Sequence, residues 1–212
     1  PSANFHVRTY SVDQMYALPG SPWSSAVGGT ESTPLTPRAR LVNLSSRGLV
    51  GADGDPLIAG IAIADTAGKG YLARAIGPGL AGFGTRNAIP DPMLRIFDSA
   101  GNELLRNLGW QNSPDAAALP GLTRSVGAFP LAPGSADSAR IASLRAGGYT
   151  VHVSSPSGQP GVGLAELYPS DDNGRTLNLS IRGRVRPGDG TVVGGFVVEG
   201  PAYKRMLIRA IG

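Results

Sequence analysis

Short apolar runs separated by Gly, Pro and Asp recur along most of this chain, and they predict β-strands. Residues 148–154 alternate regularly, with Tyr149 and Val151 on one parity and Thr150 on the other. Residues 57–64 form an apolar run bounded by turn residues, which is typical of a strand buried on both faces. Many short strands with frequent turns predict an all-β protein, an antiparallel β-sandwich of one or two sandwiches.

The same patterning predicts further strands at 42–50, 71–76, 93–97, 103–106, 137–144 and 163–168. The helix candidate is 113–119, where Ser occupies a cap position and Pro follows it. Residues 1–40 differ from the rest. Residues 4–10 alternate like a strand, whereas 18–38 are rich in Pro, Gly, Ser and Thr and predict an extended arm. An arm that carries one strand ahead of a folded body suits strand addition to another subunit.

The most informative feature is an internal repeat. Residues 43–77 align without a gap to residues 178–212, each position recurring 135 residues later, and fourteen of the 35 aligned positions are identical. We call these segments the first copy and the second copy. The two lysines of the chain, Lys69 and Lys204, fall on one aligned position.

The repeat divides the chain into three parts. Residues 1–40 are predicted to be an extended N-terminal arm or linker, 41–175 a β-sandwich repeat unit, and 176–212 the start of a second unit. The first copy continues into about a hundred further residues, and the second copy ends the sequence. Because a repeat unit buries its apolar face on a neighbour, the second unit is expected to pack on the first or to be completed by a neighbouring subunit.

Composition excludes several classes of function. The chain has no cysteine, which removes disulfides, thiolate metal sites and cysteine nucleophiles. The net charge is +4, but the arginines are scattered and aromatic residues reach only 6%, so a nucleic-acid interface is not expected. No apolar run approaches the ~18 residues of a membrane helix, and no membrane insertion is expected.

The segment 43–84, NLSSRGLVGADGDPLIAGIAIADTAGKGYLARAIGPGLAGFG, resembles a tandem repeat of large exported bacterial proteins. The later segments DPMLRIFDSAGNELLRNLGW and LRAGGYTVHVSSPSGQPGVGLAELY extend this resemblance in the same order. The stretch Ala146–Val153 is also similar to the closing strands of bacterial pre-peptidase-type β-sandwich domains. The resemblance implies export, β-sandwich modules and a surface or extracellular role, and it carries no catalytic residues.

The sequence offers few sites for chemistry. Asp53 and Asp55 alternate in a Gly-rich turn, where their oxygens could hold Ca²⁺, although Asp and Gly are also ordinary turn residues. The second copy has Gly188 and Gly190 at these positions, so the pair is not part of the repeat. No triad, phosphate loop or paired carboxylate motif is recognisable, and we expect neither an enzyme nor a resident cofactor.

The leading hypothesis is a structural subunit of an extracellular filament or surface array, a homopolymer assembled head to tail by β-strand addition or complementation. The residues expected to make this assembly are Phe5, Val7, Thr9, Val192, Phe196, Val198, Leu207 and Ile211. One alternative is an extracellular module that binds surface polysaccharide, with Trp23, Trp110, Tyr149 and Tyr168 as stacking platforms. Another is an accessory domain of a larger exported enzyme.

Overall fold

The part of the chain that the structure describes is all-β, as predicted, with 54% strand and 11% helix. A computed structural model describes residues 3–11, 39–52, 55–64, 68–171, 175–201 and 203–211. The strands are β1 (Ala3–Ser11), β2 (Arg40–Val50), β3 (Leu57–Ala64), β4 (Lys69–Ile76), β5 (Met93–Asp98), β6 (Glu103–Leu108), β7 (Ser138–Leu144), β8 (Gly147–Ser154), β9 (Gly161–Pro169), β10 (Arg175–Val185), β11 (Val193–Glu199) and β12 (Met206–Ile211).

Helical structure is short and lies in the connections. One α-helix, α1, spans Leu119–Ser125, and 3₁₀ turns lie at Pro78–Phe83, Trp110–Asn112 and Gly188–Gly190. The helix predicted at 113–119 is therefore misplaced, because the Ser113 hydroxyl accepts the Asp115 N–H and forms a local turn. Among the described residues, no helix has the length and apolar character needed to cross a membrane.

The strands form one antiparallel sheet that is nearly closed as a barrel, and a sandwich is not confirmed. The main order is β6-β5-β8-β3-β10-β2-β9-β4-β7; β1 additionally pairs with β10 and β12, and β11 pairs with β2. The two end strands approach each other through side chains. The Asn107 side-chain oxygen accepts the Ala139 N–H at 3.1 Å, and the Ser138 hydroxyl donates to the Asn107 carbonyl at 3.1 Å.

Strands from the two copies pair reciprocally. The first strand of the first copy, β2, pairs with β11, and the first strand of the second copy, β10, pairs with β3. Arg47 lies opposite Val193 in one ladder, and Arg182 lies opposite Ile58 in the other. Arg182 is the repeat counterpart of Arg47, and Val193 is the counterpart of Ile58, because each pair is 135 positions apart. Each ladder also contains a register shift near the start of its first strand, and the two shifts fall at positions 135 residues apart. Such reciprocal contacts are the signature of a two-fold relation.

The main core lies where the two copies meet. It combines buried side chains of β2, β3, β4, β8, β9 and β10 with half-buried Val192 and Phe196 of the second copy. Gly48 and Gly183 both face Leu57 and Val192, and a Cβ at either glycine would come within 3.1–3.4 Å of their methyl groups. Small residues at these two aligned positions therefore allow the copies to approach closely.

A buried hydrogen bond links β4 to β10 through this core. The hydroxyls of Tyr71 and Thr176 lie 2.7 Å apart, and Tyr71 is fully buried. Burial raises the pKa of Tyr71 to about 12, against the opposing effect of the Thr176 hydrogen bond. The folded protein therefore keeps this phenol protonated at a pH where the unfolded chain loses the proton.

We expect Tyr71 to make the protein less stable at alkaline pH. Stability is fully retained below the unfolded pKa of about 10 and falls as pH rises from there towards 12, by about 2 kcal/mol at pH 12 from this residue. Urea unfolding from pH 8 to 12 measures the effect. Tyr71→Phe should lower stability at neutral pH, because Thr176 loses its partner, yet should weaken the alkaline decline. An unchanged decline in the variant would contradict this assignment.

Candidate assembly site

The N-terminal strand β1 fills a slot between β10 and β12. It runs antiparallel to both, with Val7 opposite Ile181 on one side and Ala210 on the other. Its pairing with β10 extends from Ala3 to Arg8. Since β1 and the second copy are separated by almost the whole chain, this contact joins the two ends of the sequence.

The first copy contains the same arrangement, with β9 in the position of β1. Strand β9 lies between β2 and β4, antiparallel to both. Ala165 of β9 lies opposite Ser46 and Ala75, and these residues align in the repeat with Ile181 and Ala210, the partners of Val7. Every described pair follows this correspondence, so Ala3–Ser11 matches Gly161–Pro169 residue for residue. Sequence identity does not indicate this correspondence, because Tyr10 and Tyr168 are the only identical pair between the two strands.

The second copy has edges that are covered in the first. Strand β3 has β8 on its outer side and β4 has β7, whereas no described strand covers the outer edge of β11 or β12. Ile211 is 38% exposed and its counterpart Ile76 is fully buried; Val198 is 37% exposed and its counterpart Ile63 is 4% exposed. Six of the nine exposed large apolar side chains that the structure describes belong to the second copy: Val193, Val197, Val198, Tyr203, Ile208 and Ile211.

The residues predicted for assembly all lie on or beside these strands. Phe5, Val7 and Thr9 belong to β1, and Thr9 is opposite Ile208 of β12. Val192 and Phe196 pack against the main core, Leu207 is half-buried, and Val198 and Ile211 are exposed. Only these last two contribute apolar surface at the open edges; Val192 and Phe196 join the two copies within one chain.

A buried ion pair holds β9 in its slot in the first copy. Arg74 of β4 lies opposite Glu166 of β9, with Nη2 and Oε2 at 2.8 Å, and the two side chains are 0% and 7% exposed. Arg74 also donates through Nη1 to the Phe129 carbonyl at 2.6 Å, and its guanidinium lies 4.1 Å from the Phe129 ring centre. No role for Glu166 could be predicted from the sequence, because nothing in its local pattern indicates burial.

Tyr168 completes this polar cluster. Its hydroxyl donates to Oε1 of Glu166 at 2.9 Å. Burial, together with the Glu166 charge, raises the pKa of Tyr168 above its ordinary value, so the phenol remains a neutral donor. The Glu166 carboxylate thus accepts a hydrogen bond from Tyr168 on Oε1 and forms its ion pair with Arg74 through Oε2.

The calcium site stays a prediction, because Asp53, one of its two residues, lies outside the described residues. The Asp55 carboxylate forms an ion pair with Arg184, and its backbone carbonyl accepts the Gly51 N–H at 2.8 Å. Within the described ranges, no three His, Cys, Asp or Glu side chains cluster as metal ligands.

The predicted aromatic platform is not formed by the residues that can be placed. Trp110 and Tyr168 are buried in a second apolar cluster, and Tyr149 is half-buried, with its hydroxyl donating to the Arg145 carbonyl at 3.0 Å. Trp23 lies outside the described residues. Among the described rings, none of Trp110, Tyr149 and Tyr168 is exposed.

A cavity of about 700 Å³ lies where the two copies meet. Lys69 and Lys204, which occupy one aligned position of the repeat, both line this cavity. Arg40 and Arg175, which are also 135 residues apart, line it as well. Lys69 is buried and donates to the Asp171 carbonyl at 3.0 Å, and this burial lowers its pKa. Acidic lining comes from Asp171 and Glu199, so cations predominate among the lining side chains.

We expect Glu166→Gln to destabilise the protein by about 3–5 kcal/mol, because Arg74 would remain buried without a counter-charge. Urea unfolding at pH 7 measures the loss. Glu199→Gln is the matched control, since it breaks the exposed Arg40–Glu199 pair at 3.0 Å and should change stability by less than about 1 kcal/mol. Equal effects of the two substitutions would show that the Arg74–Glu166 pair does not stabilise the β9 slot.

The chain matches no family model, no curated protein and no solved structure. The candidate site is the slot between β10 and β12, together with the strand that fills it.

Proposed function

We propose that this protein is a structural, non-catalytic subunit of an extracellular filament or surface array, and that copies assemble head to tail by strand complementation. The donor is β1 and the acceptor is the slot between β10 and β12. The observation that carries the proposal is the register match between β1 and β9, since the N-terminal strand takes the place that a strand of the repeat unit itself takes in the first copy.

The match supports regarding β1 as a strand that the second copy receives from outside itself. In the first copy, β9 arrives from within the same unit, because it follows β8 along the chain. The second copy contains β10, β11 and β12, but the strand that lies between β10 and β12 comes from the opposite end of the given sequence. A strand supplied from outside a unit is the hallmark of donor-strand complementation.

The connection after β1 is long enough for delivery to a neighbouring molecule. Residues 12–38 separate β1 from the body, and a chain of this length spans up to roughly 90 Å when extended. The same strand can therefore fill the slot of its own chain or the slot of another copy. Donor and acceptor are different surfaces, so exchange between molecules generates rings or open filaments.

The open edges of β11 and β12 support the same proposal. Unpaired strand edges flanked by exposed apolar side chains are templates for association with another chain. Val197, Ile208 and Ile211 would be covered in an assembly that continues at this end of the molecule. At the other end of the described sheet, β6 and β7 are linked by the hydrogen bonds between Asn107 and residues 138–139.

Cysteine trapping tests whether β1 is delivered between molecules. The natural chain has no cysteine, so Thr9→Cys and Ile208→Cys can be introduced separately on opposite sides of the β1–β12 ladder. We expect a mixture of the two single variants to form a disulfide-linked heterodimer on mild oxidation, and the double variant to form a ladder of multimers on non-reducing gels.

Two comparisons make the result decisive. Tyr10→Cys with Leu207→Cys tests the next pair along the ladder. In an antiparallel ladder, consecutive pairs alternate between hydrogen-bonded and non-hydrogen-bonded, so the two cysteine pairs sample both geometries. Thr9→Cys with Arg205→Cys is the off-register control. If the double variant closes an internal disulfide and stays monomeric, while mixtures cross-link no more than the control, the assembly proposal is wrong.

A second candidate function is binding of an acidic saccharide in the cavity between the copies, where four lining cations outnumber two carboxylates, although Arg40 and Lys69 already pair with Glu199 and Asp171. We expect uronic-acid oligosaccharides to bind more tightly than neutral ones, because arginine pairs well with carboxylates. Isothermal titration with both oligosaccharides checks this, with Lys204→Ala reducing the heat of binding. Equal binding of the two sugars would eliminate this candidate.

A further inference from the structure

The two slots differ in charge at one aligned position. In the first copy, Glu166 of β9 lies opposite Arg74 of β4. In the second copy, the aligned residue of β12 is Arg209, and the residue opposite it is Arg8 of β1. An opposite-charge pair in one slot is thus replaced by a like-charge pair in the other.

Surroundings at the two positions differ as well. Arg74 is fully buried, with Glu166 and the Phe129 ring against it. Arg209 is exposed. Directly opposed residues on antiparallel strands interact, and like charges there oppose pairing.

We propose that Arg209 makes the slot between β10 and β12 selective for a strand with a carboxylate opposite it, so that β1, with Arg8 there, is weakly held and exchanges between copies of the chain. This inference rests on the proposed function and refines it. A weakly held donor can leave its own slot and enter the slot of a second copy. A donor with Glu at position 8 would reproduce the charge pairing of β9.

Charge reversal across the ladder tests the selectivity. Arg8→Glu and Arg209→Glu each create an opposite-charge pair, and the double variant restores a like-charge pair of reversed sign. In the full chain, hydrogen–deuterium exchange of the backbone amides of residues 206–211 reports how firmly the slot is occupied. We expect protection to rise about two- to five-fold in each single variant and to return to the native level in the double variant.

The matched control is Arg205→Glu, an exposed residue just before β12 that removes the same charge without facing β1. It should leave protection unchanged. If Arg8→Glu and Arg205→Glu act alike, or if the effects of the two single variants simply add in the double variant, the selectivity assigned to Arg209 is overturned.

Failure of this inference is distinguishable from failure of the assembly proposal. Amide protection in β12 depends on slot occupancy and not on which molecule supplies the strand, whereas cysteine trapping reports the molecule of origin. Cross-linked multimers with charge-independent protection would leave the assembly intact and remove only the role of Arg209. At 1 M salt the charge effect should largely disappear, because the Debye length falls to about 3 Å.

Discussion

Backbone pairing between each copy's first strand and the other copy's second strand is the constraint on which the rest of the structure depends. These ladders, β2 with β11 and β10 with β3, join the two copies, and the main core lies between them. They also leave a gap on the far side of each first strand. One gap takes β9 and the other takes β1, since backbone groups in both places require a partner. The slot that holds β1 thus follows from the way in which the two copies pair with each other.

Local patterning predicted the elements well, and it did so for physical reasons. The strands expected at 57–64, 71–76 and 93–97 match β3, β4 and β5 to within a few residues, because turn residues bound short apolar runs there. The helix was misplaced, because a serine hydroxyl that caps a helix can equally form an isolated turn. Sheet closure was beyond prediction, since which strands become neighbours depends on long-range packing.

The candidate site was predicted in outline only. Alternation in residues 4–10 indicated a strand, and the repeat indicated that the second copy packs on a partner, but neither pattern identified the strands that pair with residues 4–10. The match between β1 and β9 is one of register, and register resides in the backbone geometry of both neighbours. Glu166 illustrates the same limit. Its importance comes from Arg74, which is far away in sequence, and from a phenylalanine ring on a connecting loop.

The direction in which β1 runs determines how the slot responds to mechanical force. Because β1 is antiparallel to β12, its Ala3 end lies towards the C-terminal end of that strand, and its Ser11 end lies beside Met206. Tension applied between the two chain termini would peel this ladder open one hydrogen bond at a time. Tension that enters through the connection after Ser11 and acts along the strand would load the ladder in shear, with all bonds sharing it. Strand β1, held in this orientation, therefore resists tension along its axis better than tension that separates it from β12 starting at its Ala3 end.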